Sequence, residues 1–146
     1  MHYATTCTAA VGNPRTIGAL IASTSRRGRI FMFAIGSYDT PADAAIKWIL
    51  QRFTTAGTAT SVTPKPLDPG EVAAQLSGAE NYSSEPGYTS AEELFQVGLN
   101  QRAPFAYHCR PGAEFIIPQT SANGIGMKAQ NASATPNVEL TLHHQE

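Results

Sequence analysis

The chain has 146 residues, a formal net charge of −1, 42% hydrophobic residues and only 14% charged ones, against roughly 25% charged in an average globular protein. That length suits one domain with a real core. The near-neutral charge excludes the long-range field that gathers nucleic acid or anionic membrane, and no apolar run approaches the roughly 18–20 residues of a membrane-spanning helix.

The exterior must therefore be built from Thr, Ser, Asn, Gln, Ala and Gly. Such a surface suits packing against copies of itself or a large fixed partner, because burying a hydroxyl costs far less than burying a charge. The start, Met1 to Cys7, lacks the basic region and long apolar run of a signal peptide, so a soluble product made in a cytoplasm is expected. Without export signals, Cys7 and Cys109 are expected as free thiols, a disulfide being the alternative.

In chain order, residues 1–14 mix Thr, Ala and Gly with little periodicity and predict an extended N-terminal arm that finds its contacts elsewhere. Residues 15–146 form the single folded domain. Ile17 to Ile21 predicts a first strand over 16–22, ended by the polar turn Ser23 to Gly28. Arg29 to Tyr38, β-branched and aromatic without helix caps, predicts a central strand. After a break at Asp39 to Asp43, Ala45 to Thr54 reads as a strand with Ile46, Trp48, Leu50 and Arg52 on one face and Lys47, Ile49, Gln51 and Phe53 on the other. A helix is the alternative there. Thr54 to Thr58 predicts a hairpin connection with Gly57 free to take positive φ.

Thr58 to Thr63 is strand-like, and Pro64, Pro66 and Pro69 then stop any long element. Asp68-Pro69-Gly70-Glu71 spells a helix start and predicts one short helix through Leu76. Residues 77–90 predict a loop, with Asn81 to Ser84 able to add an edge strand. Ser90 to Glu93 spells a capping box, but Phe95, Val97 and Leu99 alternate at strand period. Further strands are predicted at Phe105 to Arg110, Glu114 to Pro118, Ile125 to Ala129 and Val138 to His144, the last two joined by a turn over 131–137. About eight short strands predict an all-β antiparallel sandwich, jelly-roll-like, with one helix in a crossover loop.

The residues that carry chemistry do not assemble into a motif. A metal-binding sandwich needs two His one residue apart, whereas His143 and His144 are adjacent and face opposite ways, His108 stands alone and His2 lies in the arm. Neighbours His108 and Cys109 likewise face apart and share no proton. Gly124 to Lys128 lacks the length of a phosphate loop. The acidic residues Asp39, Asp43, Asp68, Glu71, Glu92 and Glu93 sit in predicted turns and caps. Arg26, Arg27 and Arg29 form the basic cluster, read as a solvated turn or as a clamp on a neighbouring carboxylate. Asn81-Tyr82-Ser83 and Asn131-Ala132-Ser133 match the glycosylation sequon, which has no bearing without export. No catalytic, cofactor-binding or metal residue is assigned, and no cofactor is expected.

Arg26 to Ile30, Trp48 to Thr58 and Pro64 to Pro69, with Pro104 to Tyr107 and a hairpin from Gly124 to Leu142, resemble small jelly-roll decoration or cement proteins of tailed-phage heads. The likeness covers roughly residue 16 to the end. It implies a non-enzymatic virion protein, made in the host cytoplasm, that sits on the outer capsid surface. Its partners would be the major capsid protein and further copies of itself, as a dimer or trimer, with no nucleic acid and no membrane. The arm would suit bridging between neighbours. The alternative is a carbohydrate- or receptor-binding sandwich module of a tail or fibre, for which Tyr38, Tyr82 and Tyr88 are the candidate contacts because the lone Trp48 lies in an apolar strand.

Overall fold

Period-two alternation runs through most of the chain, and the computed structural model, which describes residues 1–131 and 133–146, turns it into strands. They are β1 (His2–Ala10), β2 (Arg15–Ile21), β3 (Gly28–Ser37), β4 (Ala45–Thr55), β5 (Thr58–Val62), β6 (Lys65–Pro66), β7 (Ser77–Ser84), β8 (Gly87–Asn100), β9 (Phe105–His108), β10 (Phe115–Ile117), β11 (Gly124–Gln130) and β12 (Asn137–Gln145). Two antiparallel sheets result. The first runs β10-β3-β12-β1-β6, with β9 also on β3, and the second runs β5-β7-β2-β11-β4-β8.

Their facing side chains make one core, among them Ile17, Leu20, Phe33, Ile46, Trp48, Leu50, Ile125, Met127, Leu140 and Leu142. The all-β, two-sheet class agrees with the sequence, and β4 is a strand, its helical alternative unused. Trp48 is 2% exposed, as its place between Ile46 and Leu50 implied.

The arm is the first correction. Residues 2–10 are an intrinsic strand, paired along nine residues with β12 from His2↔Gln145 to Ala10↔Asn137, and with β6 at Tyr3 and Ala4. Tyr3, Thr5, Cys7, Ala9 and Val11 are buried. The alternation was present but muted, because small residues face small ones: a Cβ on Gly18 would lie 2.6 Å from Cys7 Sγ, and one on Gly78 would lie 2.6 Å from Thr5 Cγ2.

No helix forms at 68–76. Asp68 Oδ1 accepts from Gly70 N and Asp68 O from Glu71 N, which makes a turn. The following backbone groups then go to distant partners instead of to the next helical turn. Val72 O accepts from the Tyr3 hydroxyl at 2.9 Å, and the Gln75 and Leu76 amides donate to the Glu146 carboxylate at 2.8 and 2.9 Å. A helix of only eight residues, 69–76, has too few internal bonds to compete with those.

The 77–90 loop is also replaced, by β7 and the start of β8. β4 and β5 do not pair with each other, nor do β11 and β12, so neither expected hairpin exists; the 131–137 turn includes Ala132, outside the described residues. Instead β4 turns through Ala56 and Gly57, the latter at φ 72°, into β5 without reversing onto it. β7 runs through Pro86 into β8 antiparallel to it, with pairings from Val62↔Gly78 to Ala45↔Asn100. This ribbon bends between Thr55 and Thr58, so its two ends form opposite edges of the second sheet. The bend encloses a second small core of Ala19, Phe53, Ala79 and Tyr82 on the sheet's outer side. Gly57 is required there, since a Cβ would meet Ser84 O at 2.4 Å.

Two outcomes test this architecture. Deleting residues 1–10 should abolish cooperative unfolding and the β-type circular dichroism spectrum, because it removes an interior strand. Trp48→Ala should cost about 3–5 kcal/mol in denaturant unfolding.

Candidate functional site

The two sheets treat their outer faces differently. The second sheet's is covered over much of its area by its own bent ribbon, so that Ile49, Gln51 and Phe53 of β4 are buried on the side away from the main core. The first sheet's outer face has no such cover. Along β1 it presents His2, Ala4, Thr6, Thr8 and Ala10, alternating with the buried Tyr3, Thr5, Cys7 and Ala9. Along β12 it presents Glu139, Thr141 and His143. β3 adds Ala34 and Gly36, and β9 adds Ala106 and His108.

Small side chains dominate, and Glu139 is the one carboxylate among those positions. Pairings Ala34↔Thr141, Gly36↔Glu139 and Ala34↔Ala106 place these residues side by side. Together with Pro104 and Phe105 they line a shallow concavity of about 410 Å³.

The concavity borders a half-buried aromatic cluster where the two sheets meet. Phe33 lies edge-on to Phe95 at 5.1 Å between ring centroids and stacks on Tyr107 at 5.4 Å, while Phe95 stacks on Phe105 at 5.9 Å. Such pairs fix ring positions by quadrupole geometry as well as by burial. At the other end of the face, His2 lies edge-on to Phe31 at 5.4 Å and Phe31 is 5.9 Å from His143. The face thus carries small, weakly charged side chains between aromatic groups at its two ends.

The histidines separate as strand geometry requires. His143 faces outward, and His144 is fully buried, stacked on Tyr3 at 5.3 Å with Nε2 3.2 Å from Glu146 Oε1. Among the described residues no three His, Cys, Asp or Glu converge as metal ligands. Arg26, Arg27 and Arg29 are exposed in and beside a turn, and no carboxylate among the described residues lies within ion-pair distance of them. Tyr82 is buried in the small core with Ala19, Phe53 and Ala79, and Tyr88 is hydrogen-bonded to Thr16, leaving Tyr38 the exposed member of that trio. The three make no common platform. The sequence pointed to a weakly charged surface but not to this face, whose residues are individually unremarkable Ala, Thr and Gly.

Both cysteines are free. Burial pushes the Cys7 thiol up to about 12, with Glu80 adding to the effect; burial also raises Cys109, less enclosed at the end of β9.

No family model matches this chain, and no curated protein matches it. Among solved structures, the Yersinia pseudotuberculosis-derived mitogen is similar at 15% identity and a TM-score of 0.40, over 95% of this chain and 83% of that one. A likeness of that order identifies neither a family nor a function.

Mass spectrometry after alkylation in native buffer near pH 8 should find Cys7 unmodified, and both thiols modified after denaturation. Burial lowers the His143 and His144 pKa values, for His143 with help from His108 and for His144 against the pull of Glu146. A folded-state pKa below the ordinary 6.5 means that the unfolded chain binds the proton more readily. Stability is therefore held above about pH 6.5 and lost as pH falls through the lowered values. Thermal unfolding midpoints should decline from that pH downward, and His143→Gln should soften the decline.

Proposed function

We propose that this chain is a structural virion protein, a decoration or cement protein that binds the outer surface of a phage head, bridges major capsid protein subunits and assembles with copies of itself. The observation that carries this reading is the uncovered outer face of the first sheet, low in charge, shallowly concave and continuous with the aromatic cluster. A protein that shields one sheet with its own ribbon and leaves the other bare has a surface suited to a large fixed partner.

The strand order also supports a jelly-roll topology. Leaving aside β5 to β7, the chain crosses between the sheets at each step except from β4 to β8, which are neighbours, and from β9 to β10, which both lie on β3, giving β10-β3-β12-β1 in one sheet and β8-β4-β11-β2 in the other. The bridging role assigned to an N-terminal arm passes to this face, since residues 2–10 are held within the sheet. In this reading the chain performs no catalysis and lives on the outer capsid surface after synthesis in the host cytoplasm.

Ala34→Arg tests it. The residue is central to the face and points away from the core, so the thermal midpoint should stay within a few degrees of wild type. Co-sedimentation with undecorated heads should weaken at least tenfold, and self-association in sedimentation velocity should change with it. Unaltered attachment would exclude the face. Binding to a host-surface glycan with no affinity for heads would favour the tail or fibre alternative.

A further inference from the structure

A polar network lies at the ribbon bend, remote from the face described above. Lys128 of β11, Gln51 of β4 and Glu93 of β8 occupy three adjacent strands. Gln51 is paired with Gly126, which sets Lys128 diagonally beside it, and on its other side Gln51 pairs with Glu93. The Lys128 ammonium donates to Gln51 Oε1. Gln51 is only 4% exposed, and its Nε2 donates to Thr89 O at 2.7 Å, which fixes the carboxamide with its oxygen toward the lysine.

The Tyr88 ring, 4.4 Å from Nζ, covers the lysine and is held by its own bond to Thr16 at 2.7 Å. Gly126 makes room for that ring, since a Cβ there would lie 2.3 Å from the Tyr88 hydroxyl. No carboxylate among the described residues lies within ion-pair distance of Lys128. The amine is therefore held against a buried amide and not against a counter-ion.

We propose that Lys128 and Gln51 join in an intramolecular isopeptide bond, with Glu93 carrying the proton. The Lys128 ammonium gives up a proton, which passes through solvent to the exposed Glu93 carboxylate on the other side of Gln51, and the freed Nζ lone pair attacks Gln51 Cδ. The Nζ–Cδ bond forms and the Cδ–Nε2 bond breaks. Nε2 leaves as ammonia after receiving one proton from Nζ, and the proton held on Glu93 makes it ammonium. An ammonium and a primary amide thus become a secondary amide and an ammonium ion, with no change of oxidation state and no co-reactant.

Fixed strand register supplies the proximity that such a reaction needs, because neither group has to be found by diffusion. Burial lowers the Lys128 pKa, against the pull of Glu93 and Glu85, and so raises the share of reactive amine. The link would tie β4 to β11 in the middle of the second sheet. It does not rest on the capsid assignment, since the three residues are on the opposite sheet from the proposed binding face.

Intact-mass analysis of the purified full chain after prolonged incubation decides the matter. The expected result is a mass lower than the sequence value by one ammonia, with a branched tryptic peptide joining Trp48–Arg52 to the segment that carries Lys128. Lys128→Arg and Gln51→Leu should each restore the sequence mass, and Glu93→Gln should slow formation at least tenfold while leaving the circular dichroism spectrum unchanged. Full sequence mass in the folded wild-type protein would overturn the proposal. So would a deficit that persists in Lys128→Arg, because it would then come from another amide. An unchanged rate in Glu93→Gln would remove Glu93 from its role.

Discussion

Pairing of β1 with β12 is the contact on which the rest depends. It brings the two ends of the chain together along nine residues and makes both of them interior strands of the first sheet. From it follow the buried Tyr3–His144 stack and the clasp in which the Glu146 carboxylate holds the backbone of Gln75 and Leu76. The 67–76 loop owes its conformation to that clasp. Its own sequence would favour a helical turn, but two charge-assisted bonds to a buried carboxylate outweigh one local capping bond.

Much of the sheet content was legible because large apolar residues alternate with polar ones, as at Ile46-Lys47-Trp48 or Val138-Glu139-Leu140. What escaped has a common cause. β1 packs Thr5 and Cys7 against Gly78 and Gly18, a fit of small against small in which hydrophobic periodicity is nearly silent although burial is complete. Around residues 77–90 the turn-forming Gly78, Pro86 and Gly87 are real signals, but they serve a continuous ribbon that bends, and a bend uses the same residues as a chain reversal. Which strands pair across the sheets, and hence the absence of the expected hairpins, depends on long-range register that no local pattern carries.

The candidate surface was legible only as a quantity. Low charge said that some face would be weakly polar; the fold decided which, because the ribbon folds over one sheet and leaves the other open. Threonine, alanine and glycine at alternate positions of β1, β3, β9 and β12 carry no motif, and they form a surface only once four strands lie side by side. The aromatic residues beside it were assigned to strands correctly, yet their gathering at the meeting of the sheets depends on β8 and β9 approaching from different sheets.

The clasped ends bear on how the chain can be rewired. Met1 O accepts from Glu146 N at 3.2 Å, and the Met1 ammonium lies 3.4 Å from Glu146 O. Residues 1 and 146 thus lie side by side. A short linker from residue 146 to residue 1, with a new opening in the exposed turn at Arg110 to Ala113, would give a circular permutant with every strand pairing intact. In that permutant the free ends would sit beside β9 and β10, so a displayed peptide would emerge at the same end of the first sheet but from its β9–β10 edge.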